Sequence, residues 1–148
     1  MGTLSLPAAG TVYFDANAVI YSVEKIEPYR ALLDAAWKAS EVGAIRIVGS
    51  ELLLLECLVK PVRAADSLLE HTYRELLLGS GDVRLMPVDL PVIERAIRIR
   101  AENRLKTPDA IHAASALQAG AALFVTNDAR FRRVEQLPVV LLSELVTH

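Results

Sequence analysis

Val12-Tyr13-Phe14-Asp15-Ala16-Asn17-Ala18-Val19-Ile20-Tyr21 is the stretch whose reading decides the fold. It opens with β-branched and aromatic residues, as a buried strand does. Asp15 and Asn17 then interrupt an otherwise apolar run. An ionised carboxylate cannot lie unpaired in a core, because its desolvation cost is too high. Asp15 therefore belongs where the strand meets water, a cation or a partner. On an extended backbone Asp15 and Asn17 would point to the same side. They are also residue types that close an Asx-turn or cap a helix at a strand end.

Working outward, helical and strand patterns alternate. Pro28 to Val42 reads as a helix, with Pro in its first turn and Gly43 as its stop. Ile45 to Val48 is a short strand. Ser50 is a good N-cap for a helix over Glu51 to Val59, which Pro61 should end. Arg63 to Leu78 reads as one longer amphipathic helix, closed by Gly79-Ser80-Gly81. Val83 to Val88 is a third strand. Asp89 caps a helix reaching about Leu105. Thr107-Pro108-Asp109 starts another helix, with Thr107 as N-cap, which Gly120 ends. Ala121 to Val125 and Val139 to Leu142 are the last strands. Strands separated by helices imply right-handed crossovers and an α/β fold with a central, mainly parallel β-sheet covered on both faces. One domain spans residues 1–148, and the first ten are expected to fray.

The chain has 148 residues, of which 53% are hydrophobic and 23% charged, the composition of a globular chain rather than a disordered one. Its apolar runs are too short for a membrane span, and its first residues do not read as a signal peptide. The single cysteine, Cys57, excludes an internal disulfide and a cysteine-based zinc site, and suits the cytoplasm. A net charge of −2 excludes a generic polyanion coat. From Ile93 to Arg133, however, eight basic residues face four acids, so a local basic patch is open to the chain.

Four acids stand in unusual places. Asp15 is in the first strand, Asp109 lies in the first turn of a helix, and Asp128 follows the fourth strand. Glu56 sits within Leu52-Leu53-Leu54-Leu55-Glu56-Cys57-Leu58-Val59, where it needs a proton, a hydrogen bond or a cation. Lys60, four residues on, is one such cation. Open parallel sheets gather their ligand sites beyond the C-terminal strand ends. Converging carboxylates repel unless a cation neutralises them. Oxygen donors without thiolates favour Mg²⁺ or Mn²⁺, and such an ion can act on a phosphodiester. Arg95, Arg98, Arg104 and Lys106 precede Asp109, and Arg130, Arg132 and Arg133 follow Asp128. They could meet nucleic-acid phosphates or form a solvated face.

The segments FDANAVIY, LLLLECLV, TPDAIHAASAL and FVTNDARF resemble, in order, the four acidic motifs of PIN-domain ribonucleases. More narrowly, the chain is similar to VapC-type toxins of toxin–antitoxin pairs. The resemblance implies a three-layer α/β/α sandwich and a Mg²⁺- or Mn²⁺-dependent endoribonuclease leaving a 5′-phosphate. It also implies a homodimer and inhibition by a cognate antitoxin. Carried over by residue, it assigns Asp15, Glu56, Asp109 and Asp128 to the metal and the chemistry. Asn17, Thr107, His112, Thr126 and Asn127 take positions around them. Ala16 departs from the pattern, standing where a hydroxyl residue is common. The main alternative is a PIN-like module that binds RNA or protein without cutting. A histidine-based nuclease is a poorer fit, because His71, His112 and His148 are scattered along the sequence, and a DxD phosphatase lacks its second acid at Asn17.

Overall fold

The apolar opening of the quoted stretch becomes the middle strand of a five-stranded sheet. In the computed structural model, which describes residues 2–146, β1 (Thr11–Phe14) lies between β2 (Arg46–Ser50) and β4 (Leu123–Thr126). The edges are β3 (Val83–Met86) and β5 (Val139–Leu141). Every pairing is parallel. Side chains alternate across the pleat. Val12, Phe14, Ile47 and Val125 enter one apolar cluster, whereas Tyr13, Val48 and Phe124 enter the other. Both faces are buried, which is why the strands read as unbroken apolar runs rather than alternating ones.

Four helices pack with the first cluster: α1 (Ala16–Val23), α2 (Tyr29–Glu41), α3 (Leu52–Arg63) and α4 (Ser67–Arg74). Two cover the opposite face: α5 (Leu90–Asn103) and α6 (Thr107–Gln118). The result is the expected three-layer α/β/α sandwich. Gly49 lets β2 and α3 approach closely, since a Cβ there would meet the buried Leu53 side chain at 2.3 Å. Among the described residues, no helix is long and apolar enough to cross a membrane.

The strand order is β3-β2-β1-β4-β5. The chain moves outward from β1 to β3, then crosses to β4 on the other side of β1. The order therefore reverses at the C-terminal end of β1, where open α/β sheets leave a crevice between diverging connections. Asp15 is the first residue beyond that end.

Several boundaries differ from the sequence reading, each for a local reason. The quoted stretch does not stay extended. Asp15 accepts the Ala18 N–H at 3.1 Å and starts α1, so Asp15 and Asn17 do not share a strand face. Pro61 does not end α3, which runs to Arg63 with the proline ring buried in its last turns. The region expected to be one helix from Arg63 to Leu78 is broken. Ala65 takes a left-handed conformation, φ 55°, and Asp66 caps α4 through the Leu69 N–H at 3.1 Å. A π-helical turn, Glu75–Gly79, follows. Arg104, at φ 56°, stops α5 before Leu105. Lys106 rather than Thr107 occupies the cap position of α6. Residues 2–10, read as a fraying tail, are held: Leu4 is buried in the first cluster, and the Gly2 N–H donates to the Leu145 carbonyl at 2.7 Å.

Candidate active site

Asp15 is only 4% exposed. Its Oδ1 accepts the Ala18 N–H, and its Oδ2 accepts the Thr126 hydroxyl at 2.5 Å. The same Thr126 oxygen accepts the Asp128 N–H at 3.0 Å, so one hydroxyl ties the end of β1 to the turn after β4. Burial raises the Asp15 pKa from 3.8 to about 6, against the opposing pull of these two hydrogen bonds and of His112. The hydrogen bonds it accepts come from neutral donors. They orient the carboxylate without neutralising it.

Glu56 reaches the same place from α3. The expected i,i+4 partner, Lys60, lies 3.9 Å from Glu24 instead. Glu56 Oε1 meets His112 Nε2 at 2.5 Å, and the ring's other nitrogen, Nδ1, lies 2.7 Å from the Tyr13 hydroxyl. His112 is buried on α6, one turn after Asp109. Tyr13 escaped the sequence reading because an aromatic in a strand reads as core. Its hydroxyl was the available signal, since a buried phenol needs a partner.

Asp109 and Asp128 form the outer part of the site, with side chains about one-fifth exposed (20% and 21%). Arg130 spans them. Its Nε contacts both Asp128 oxygens at 3.0 Å, its Nη2 contacts Oδ2 at 2.5 Å, and the same Nη2 lies 3.6 Å from Asp109. Hydrogen bonding from Arg130 holds the Asp128 pKa below its ordinary value. Burial raises that of Asp109, with Arg130 opposing it.

Asp15, Asn17, Glu56, Asp109, His112 and Asp128 thus line one concavity of about 220 Å³, shared with Arg130 and Phe131. Other candidates lie elsewhere. Asn127 donates to the Tyr21 hydroxyl and accepts the Ser143 N–H. Thr107 accepts from Arg100 Nε at 3.1 Å, pinning the corner between α5 and α6. Arg95 and Arg98 border a separate cleft with Glu102. Arg132 pairs with Glu144, and Arg133 donates to the Arg104 carbonyl. Lys106 is exposed at the start of α6. His71 is exposed on α4, and His148 lies outside the described residues.

Four carboxylates, one of them buried among neutral donors, suit a hard dication. As arranged, no three His, Cys, Asp or Glu side chains among the described residues stand close enough to surround an ion. Arg130 holds the outer pair. The donor set fits in kind: oxygen ligands with no thiolate line one concavity.

The chain from residue 12 to 137 matches the family model described as PIN domain. Solved structures share the fold at low identity. VapBC2 from Rickettsia felis, bound to a DNA fragment from its promoter, matches at 16% identity and a TM-score of 0.70, covering 88% of this chain and 98% of that one. A toxin–antitoxin complex from Klebsiella pneumoniae matches at 22% and 0.65, covering 88% and 97%. FitAcB from Neisseria gonorrhoeae matches at 19% and 0.66, covering 90% and 99%. No match was found among curated proteins. With its acids gathered at the reversal of strand order and the family model matched from the first strand to the approach to the last, the chain belongs to the PIN-domain family.

Proposed function

We propose that the chain is a metal-dependent endoribonuclease and the toxin of a cytoplasmic toxin–antitoxin pair. The observation that carries the reading is the convergence of Asp15, Glu56, Asp109 and Asp128 on one concavity, each delivered by a different segment. The similar fold in the Klebsiella pneumoniae toxin–antitoxin complex supports the second half.

In this reading Asp15, Asp109 and Asp128 hold Mg²⁺ or Mn²⁺. Glu56 completes the donor set or orients the attacking water, and His112 holds Glu56. The ion would supply charge neutralisation at the phosphodiester and activation of water. Thr126 keeps the carboxylates of Asp15 and Asp128 in register, and Asn17 contributes a polar side chain to the wall. Thr107 and Asn127 act at one remove, by bracing the α5–α6 corner and the turn after β4. Arg130, once released from Asp128, takes backbone phosphates together with the basic residues Arg104, Lys106 and Arg133. Arg95, Arg98 and Arg132 fall outside this role. Exposed Leu55, Val59 and Val62 on α3 and Leu68 on α4 offer apolar surface to a second copy or to an antitoxin segment.

The test is incubation of the purified chain with RNA. Cleavage to 5′-phosphate products, lost in EDTA and restored by Mn²⁺, is expected. RNA binding without cleavage under either ion would select the non-catalytic alternative.

A further inference from the structure

Tyr13 has no place in the function proposed above, yet its hydroxyl is buried at the centre of the sheet. The ring stacks on Phe124, with centroids 5.0 Å apart and planes 8° apart, and meets His112 edge-on at 5.9 Å and 76°. Packing therefore fixes where the hydroxyl lies. It reaches His112 Nδ1 at 2.7 Å, and His112 Nε2 reaches Glu56 Oε1 at 2.5 Å.

The direction of this chain follows from what each group can donate. An ionised carboxylate only accepts, so Nε2 carries the ring proton. In the neutral ring Nδ1 is then an acceptor, and the phenol O–H is its donor. A phenol is neutral at ordinary pH, so the hydroxyl has a proton to give. Glu56 itself is a long side chain, 28% exposed, with no lysine or arginine pairing with it among the described residues. Its anchorage comes from the ring, and the ring's comes from the strand.

We infer that Tyr13 is a positioning residue for the active site: through His112 it holds the Glu56 carboxylate toward the acidic concavity, leaving Oε2 for a ligand. The link joins the two helical layers, since Glu56 belongs to α3 on one face of the sheet and His112 to α6 on the other. What it does for metal binding rests on the nuclease reading; the link itself does not.

Tyr13→Phe removes only the hydroxyl and keeps the stack. Partners that orient a metal's ligands typically change affinity by roughly 10- to 100-fold, and a loss of that size is expected in Mn²⁺ titration of Tyr13→Phe. The same substitution should add less than about twofold in a Glu56→Gln background and its full effect in an Asp128→Asn background. Equal losses in both backgrounds would make Tyr13 merely structural and overturn the inference. In metal-free protein, ¹⁵N-edited NMR should show His112 protonated at Nε2 and accepting at Nδ1, with a Tyr13 hydroxyl proton protected from exchange. Tyr13→Phe should broaden or shift the Nε2–H signal, and an unchanged signal would overturn the link. If the wild-type chain binds no Mn²⁺, the nuclease reading falls and the NMR result alone decides the link. If Tyr13→Phe does not fold, the wild-type spectrum decides it: a ring protonated at Nδ1 and bare at Nε2 refutes it.

Discussion

The two walls of the concavity treat the same chemical group in opposite ways. On the inner wall Asp15 is buried among neutral donors, and its pKa rises to about 6. On the outer wall Asp128 stands at an equivalent place, just past a strand end, but Arg130 grips it and pulls its pKa down. The inner wall conserves an unmet need for positive charge. The outer wall has already met that need with a side chain. Burial sets the first, and a guanidinium two residues along the chain sets the second.

The largest effect should come from breaking the inner wall. Asp15→Asn is expected to abolish RNA cleavage, read on a gel, while the protein keeps its fold by circular dichroism, since the amide can still cap α1. Its pH signature is equally specific. Between about pH 4 and pH 6 the folded metal-free chain holds a proton on Asp15 that the unfolded chain has lost. Asp15 therefore lowers stability as pH rises through that window, by on the order of a few kcal/mol. Thermal melts of Asp15→Asn should lack this component, and a variant whose melts follow the wild-type profile would refute the assignment.

Next in size is the bond between the walls. Thr126→Val leaves the buried Asp15 Oδ2 and the Asp128 N–H each without a partner. It should cost roughly 1–3 kcal/mol, measured by urea denaturation, and raise the Asp15 pKa further. A loss within error would mean that water replaces the hydroxyl.

A smaller, opposite effect is expected on the outer wall. Arg130→Gln frees Asp109 and Asp128 and should tighten Mn²⁺ by roughly threefold to fivefold, the scale of an exposed ion pair. Calorimetry showing weaker binding would make Arg130 a support rather than a competitor. Asp128 stabilises the fold above its ordinary carboxylate range and loses that contribution as pH falls, and Arg130→Gln should remove this acid-side loss. Arg95→Glu with Arg98→Glu should leave cleavage unchanged, because both residues border another cleft. A strong loss would redraw the RNA path.

Much of this was legible in the sequence because it is written in local chemistry. Apolar strands, capping residues and the glycines at 43 and 120 mark the layers, and each acid stands beside a strand end or within an apolar helix. What stayed hidden depends on through-space partners. Lys60 is the obvious mate for Glu56 along a helix, yet the carboxylate turns to a histidine 56 residues away. Arg130 reads as part of a basic run, and only the turn it occupies directs it back onto Asp128. Tyr13 reads as core, which it is, and its ring position says nothing of the hydroxyl. The strand-to-helix change at Asp15 stood as one of two readings for a subtler reason. Ala-Asn-Ala-Val-Ile-Tyr suits either state, and one side-chain cap decides it.

The reversal of strand order at β1 also has a consequence for how the chain is made. Asp15 is made well before Asp128, which cannot reach it until β4 has slotted in beside β1. A growing polypeptide on the ribosome carries every earlier carboxylate and still lacks the assembled centre. If the chain cuts RNA as proposed, such timing keeps a half-made copy from attacking the message that encodes it.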